Sequence, residues 1–436
     1  MIYKVKQIWG FIFLLLISII YLGIFLFGIA AKKNAVTEIY FADRITAAHK
    51  ILIEKYNKLN EGKIKVVPID FPNNDFNSNE RKELLARSLR GRGDGIDLFA
   101  VDIIWVQRFA KWCEPLDKYF PIQERSKLLD YALESCYFNG ELVAVPLNQV
   151  QGIMYYREDL LKQLKGGDKV IEKLENNITW EEFINLKQTL NYNKPYYVFP
   201  AADYEGLICS YMELLMSLEP NYFEIHGFNL NTPTAEKSLS LLVDLVNKNA
   251  ISPEHVTTLT EVPSYKYSIE NDFIFIRGWQ SYDKDFLHSE YNPTKEKYLR
   301  KAHLPHFADG KEASIFGGWD LMISKFSDKK EEVVDFVKFL LSEPSQELFF
   351  TESGYNPILN SFYEKEKYIK QYPEIPEIQR IQKIGVHRPQ NVEYTRYSKI
   401  MSHYIELAIK NEIGVKEALV KMTDDIQNEK SILEEL

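Results

Sequence analysis

Cysteine is scarce in this chain: three in 436 residues, Cys113, Cys136 and Cys209, widely spaced and odd in number. That excludes a disulfide scaffold and leaves at most one bridge, Cys113 to Cys136, against the simpler state of buried free thiols. Metal-ligand spacings are missing as well, with no CxxC pair and no HExxH among the eight histidines. No glycine loop ends in GK[ST] and no serine sits in a nucleophile elbow, so neither a nucleotide loop nor a serine triad is on offer, and no cofactor is expected. Positive charge is short too: 53 Lys and Arg against 62 Asp and Glu leave a net charge of -9, which provides no field for a nucleic acid. Glycine and proline, at 20 and 18, are too sparse for long disordered tracts.

Aromatics are plentiful instead, with 27 Tyr, 26 Phe and 6 Trp making up 14% of the chain. The length suits two or three domains. Charge is absent from Gln7 to Ala31, and the 24 residues Ile8–Ala31 would reach about 36 Å as a helix, enough to cross a bilayer. Residues 1–33 are therefore expected to be an uncleaved anchor or a cleaved signal. The small residues G-I-A-A at 28–31 keep cleavage open. Lys4 and Lys6 favour a cytoplasmic start and an extracytoplasmic body, although Lys32 and Lys33 oppose that orientation. The first cysteine is residue 113, so there is no N-terminal lipid-anchoring cysteine.

Beyond the anchor, V-T-E-I-Y-F-A at 36–42 and I-K-V-V-P-I-D at 64–70 read as strands around a helical stretch from Ile45 to Asn60. A helix near Asn79–Leu89 and a strand at Ile96–Val101 continue a strand–helix–strand pattern, the unit of parallel sheets. R-G-R-G-D-G at 90–95 precedes a strand, which makes it a helix-to-strand turn and not a phosphate cradle. Asn139–Gly140 between apolar runs predicts a hairpin, and Thr179 with Glu182 predicts a capping box. Strands return at 273–279 and 314–324 between helix-rich blocks. There is no internal repeat or low-complexity linker. This alternation predicts an α/β chain of two lobes with about three crossovers, the ligand binding where the lobes meet. The expected division is 36–147 plus 268–316 for lobe 1 and 148–267 plus 317–436 for lobe 2.

Four stretches carry a family likeness. D-I-I-W-V-Q-R-F-A-K-W-C-E-P-L-D-K-Y-F (102–120), V-A-V-P-L-N-Q-V-Q-G-I-M-Y-Y-R-E-D-L-L (143–161), the run from G-G-W-D-L-M-I-S at 317 to Glu347 with G-Y-N-P at 354–357, and H-R-P-Q-N-V-E-Y-T-R-Y-S-K-I (387–400) fall in the family's order. Together they resemble the extracellular solute-binding proteins of bacterial ABC importers, the carbohydrate-binding group that includes maltose- and trehalose-binding proteins. The resemblance implies a two-lobe periplasmic-binding-protein-like fold of type II, a small carbohydrate ligand, ABC permease subunits as partners and a monomeric, non-enzymatic protein. It departs at Lys111, Trp112 and Cys113, where the family has a Gly-Trp pair, and the Tyr-rich block 165–260 matches little.

Sugars are held by aromatic faces on their C–H patches and by charged or amide groups on their hydroxyls. The resemblance places Trp279 and Trp319 at the cleft, with Gly317 and Gly318 letting backbone N–H groups approach a ligand. Asp102 follows a strand end, where open α/β sheets bind ligands, and competes there with a helix N-cap role. Arg388 is the expected donor of the second lobe, with an interlobe ion pair as its alternative. Gln149 and Gln151 at the crossover face either the cleft or the hinge, and Asp43 and Arg44 after the first strand complete the set; Trp105 could be core. A membrane-anchored sensor and a secreted glycosidase are the competing functions.

Overall fold

The computed structural model describes residues 13, 15–24, 36–71, 77–285 and 293–429. Within the apolar amino-terminal segment, residues 13 and 15–24 are helical and exposed; the rest of the expected anchor, and its crossing of a bilayer, lie outside the described residues. No helix among the described residues is long and apolar enough to cross a membrane.

Strands β1 (Thr37–Asp43), β2 (Ile64–Asp70) and β3 (Leu98–Asp102) form the parallel start that the sequence predicts, with β1 between the other two. The helix Ala47–Leu59 joins β1 to β2, capped by Thr46, whose side chain accepts from the His49 N–H. Asn139 and Gly140 take positive φ values of 50° and 83° and turn the hairpin of β4 (Tyr137–Phe138) and β5 (Glu141–Leu142). Strand β6 (Val145–Arg157) is buried along all 13 residues. At about 3.3 Å per residue it reaches roughly 40 Å, long enough to serve both lobes.

The remaining strands are β7 (Tyr197–Val198), β8 (Phe275–Trp279), β9 (Leu299–Ala302), β10 (Ser314–Ile323) and β11 (Gly385–Val386). The main sheet runs β2-β1-β3-β10-β6-β8-β7, with β11 on β10 and β9 on β6. Two long strands therefore link the lobes. The first part of β6 pairs antiparallel with β10, and its second part pairs with β8 and β9. The second part of β10, Trp319 to Ile323, pairs antiparallel with β3, and its first residues pair with β11.

This register corrects the expected division. Residues 268–316 do not join lobe 1, because β8 and β9 bond to the far half of β6 and β8 to β7, all in lobe 2. Nor does the stretch from 317 to the end of the Glu343–Ser353 helix belong to lobe 2. Trp319–Ile323 bonds to β3, and the helices Lys330–Leu340 and Glu343–Ser353 pack on Ala47–Leu59, with Phe336 against Phe41 and Tyr56. Periodicity marks a strand but not its neighbour, which the tertiary hydrogen bonds select. Lobe 2 is completed by the helices Glu205–Leu218, Pro233–Asn247, Tyr394–Ile409 and Val415–Gln427, packed on one another. All three cysteines are free and buried, so the possible Cys113–Cys136 bridge is not formed.

Candidate functional site

A cavity of about 130 Å³ lies between the lobes at the two linking strands. Of the residues expected there, Asp102, Trp279, Trp319, Gly318 and Arg388 line it, as do Arg44 and Gly317. Asp43, Gln149 and Gln151 do not. Gln151 is buried and donates to the Ile381 carbonyl at 2.7 Å, tying β6 to the segment that re-enters lobe 2. Gln149 is buried and pairs with Gly318 across the two linking strands. Asp43, also buried, accepts from Arg81 at 2.6 Å and from the Arg44 N–H at 2.6 Å. These three are polar residues of the framework: strand alternation and proximity in sequence could not tell the cavity face from the covered one.

Asp102 takes the N-cap role, and Arg388 the interlobe ion pair, that the sequence left open. Its Oδ1 accepts from the Ile104 N–H at 3.1 Å, capping the short helical turn Ile103–Trp105, and from Arg388 Nη2 at 2.7 Å. Arg388 donates through Nη1 to Glu205 at 2.8 Å, and Glu205 also accepts from Tyr394 at 2.7 Å and from Ser398. Burial pulls the Arg388 guanidinium down, but the charges around it, Asp102 and Glu205 among them, hold it well above its ordinary value. It is a permanent cation bridging the lobes. Further contacts follow the same seam, with Arg108 donating to Thr395 at 3.1 Å, Gln107 to Gln390 at 3.1 Å, and Trp105 packed in the core against Tyr394.

The two tryptophans come from opposite lobes and are half-buried. Trp319 ends the β10 stretch that pairs with Asp102; Trp279 ends β8 and pairs with Gly152. Gly318 has φ +149°, and a Cβ there would lie 2.4 Å from the Asn148 carbonyl oxygen, so only glycine fits the close approach of β10 to β6. At Gly317 a Cβ would come within 2.7 Å of the Trp279 ring, so the missing side chain makes room for the indole. Behind Trp319, Asp320 faces away at the β10 bulge and is fully buried, where it accepts from Ser135 at 2.7 Å. Burial pushes its carboxyl up to about 7.

Several cavity residues escaped the sequence reading: Arg81, Asn148, Glu205, Glu261, Tyr282 and Tyr355. Burial raises the Glu261 carboxyl above its usual range. One signal was available for Glu205. The buried helix E-G-L-I-C-S-Y-M-E-L-L-M-S-L carries no charge except Glu205 and Glu213, and buried acids require cations. Those cations are Arg388 for Glu205 and Arg277 for Glu213. Among the described residues no cluster of three His, Cys, Asp or Glu side chains could hold a metal ion.

This architecture has relatives. A probable ABC transporter-binding protein of Deinococcus radiodurans is 25% identical over 386 residues, covering 86% of this chain and 88% of that protein. The maltose-bound MalE3 of T. maritima superposes with a TM-score of 0.79 at 26% identity, over 90% of this chain and 100% of that one. The GacH receptor of Streptomyces glaucescens shares the fold at 17% identity, with a TM-score of 0.75 over 90% of this chain and 98% of that one. The family model described as bacterial extracellular solute-binding protein matches residues 41–347, from within β1 into the Glu343–Ser353 helix. That span contains both linking strands and both cavity tryptophans, and with it this chain belongs to the bacterial extracellular solute-binding proteins.

Proposed function

We propose that this protein captures an oligosaccharide between its lobes, outside the cytoplasmic membrane, and delivers it to the permease of an ABC importer. The observation that carries this reading is the pair of half-buried tryptophans, Trp279 and Trp319, brought from opposite lobes to one cavity beside hydrogen-bonding groups of both signs. Indole faces accept the C–H side of a pyranose while Asp102, Glu261 and Arg388 engage hydroxyls. Gly318 lines the cavity with backbone alone. The maltose held by the T. maritima relative supports the sugar class.

Capture works by closure. A ligand touching both walls favours the closed lobes over the open ones by its difference in affinity, and β6 and β10 supply the connection about which the lobes turn. The protein acts as a monomer, and the segment Ile8–Ala31 directs or holds it at the outer face of the membrane. A thermal-shift screen over maltose, maltotriose, trehalose, cellobiose and xylobiose tests the reading. At a hundred times Kd, binding adds about 2.7 kcal/mol, enough for a shift of a few degrees, with compaction in solution scattering. A panel without any shift, or hydrolysis of the sugars, would overturn it.

A further inference from the structure

Each cavity tryptophan has an arginine over its ring, and each arginine is held by a buried carboxylate. In lobe 2 the Arg277 guanidinium carbon lies 4.3 Å from the Trp279 ring centroid. Its Nη2 and Nε donate to the two oxygens of Glu213 at 2.6 and 3.2 Å. In lobe 1 the Arg81 guanidinium carbon lies 3.9 Å from the Trp319 ring centroid, and Nη2 donates to Asp43 at 2.6 Å. All four charged side chains are buried.

We infer that Arg277 and Arg81 are positioning residues for the ligand: each, locked by its carboxylate, fixes one cavity tryptophan in place and leaves the ring only its opposite face for a sugar. The inference rests on the carbohydrate reading for its effect on affinity, but not for the clamp itself. A guanidinium is planar and stacks on an indole, while its N–H fork is fixed by the acid. An indole held in this way does not have to be ordered on binding, and that ordering otherwise weakens a complex by about three- to tenfold per side chain. Arg277 is the cleaner case because it stands behind Trp279 and is not part of the cavity lining, whereas Arg81 is. Asp43 thereby gains a role in the site without touching it.

Fluorine NMR of the full chain carrying fluorotryptophan tests the clamp without any ligand. Trp279→Phe and Trp319→Phe assign the two signals among the six tryptophans. Arg277→Lys keeps a cation for Glu213 but loses the planar stack. It should shift and broaden the Trp279 signal, leave that of the lobe 2 core residue Trp180 in place, and weaken maltotriose binding about three- to tenfold. A variant with unchanged Trp279 signal and unchanged maltotriose affinity would sink the inference. Should Arg277→Lys fail to fold, the replacement of both partners, Glu213→Leu with Arg277→Met, serves the same comparison, since an apolar pair can fill a buried ion pair's place. If the unaltered protein binds no sugar, the carbohydrate reading falls and the fluorine spectrum alone decides the clamp.

Discussion

The two lobes present the same device, an acid, an arginine and a tryptophan, in two different electrostatic states. In lobe 2 Glu213 grips Arg277 with both oxygens, and this charge, working against burial, keeps the guanidinium above its ordinary value. In lobe 1 Asp43 offers Arg81 one short contact, and burial outweighs it: the Asp43 carboxyl is raised and the Arg81 guanidinium lowered. Asp43 also faces His49, 3.4 Å away, which burial pulls down to about 3 and so leaves neutral. The difference teaches that burial alone does not make a pair firm. Bidentate geometry does, because it returns in hydrogen bonds what desolvation removes.

The largest effect expected from this contrast is on folding. Glu213→Ala leaves Arg277 buried without its acid and should cost about 3–5 kcal/mol, read by urea unfolding. Asp43→Ala should cost less, because the pair it breaks has one hydrogen bond and not two; equal losses would erase the distinction between the lobes. The next effect is on pH dependence, at Asp320 in lobe 1. Asp320 binds its proton more tightly folded than unfolded, so its contribution is fully present below about 3.8 and lost as pH rises through about 7. Asp320→Asn should therefore gain stability over the parent at pH 8, on the order of a few kcal/mol, and the gain should vanish toward pH 4. A pH-independent difference would refute the assignment.

Binding comes third. Trp279→Ala and Trp319→Ala should each weaken the sugar found by the screen by about 2–3 kcal/mol in titration calorimetry, with Trp279 the more costly because its brace is the firmer. The reverse ranking would place the sharper recognition in lobe 1. The smallest effect is a control. Thr179 and Glu182 form a capping box on lobe 2 far from these pairs in sequence, and Thr179→Ala should cost about 1 kcal/mol in thermal unfolding without changing affinity.

Much of this molecule was legible before folding. Local signals named the early strands, the hairpin at Asn139–Gly140, the capping box at Thr179 and the turn at residues 90–95, where Gly93 and Gly95 take positive φ. Asp102, Trp319, Gly318 and Arg388 lie in the four short motifs, Trp279 at the end of a strand between them, and all five line one cavity. Lobe membership was not legible, nor was the placing of Asp43 and Gln151 outside the cavity lining. An acid after a strand looks the same whether it faces a ligand or an arginine, and Gln151 met its partner, Ile381, 230 residues away.

By itself the sequence determined the early strands and helices, the turns between them, and that the chain has two lobes. Those properties follow from local periodicity, turn residues and composition, all of which act over a few neighbouring positions. Only the tertiary structure decided that β8 and β9 belong to lobe 2, that β10 crosses back to β3, and that Glu213 and Asp43 hold arginines against the two tryptophans. Each of these is a pairing across a long loop, selected by hydrogen-bond register and by the need of a buried charge for a partner, and neither can be read until the chain has closed on itself.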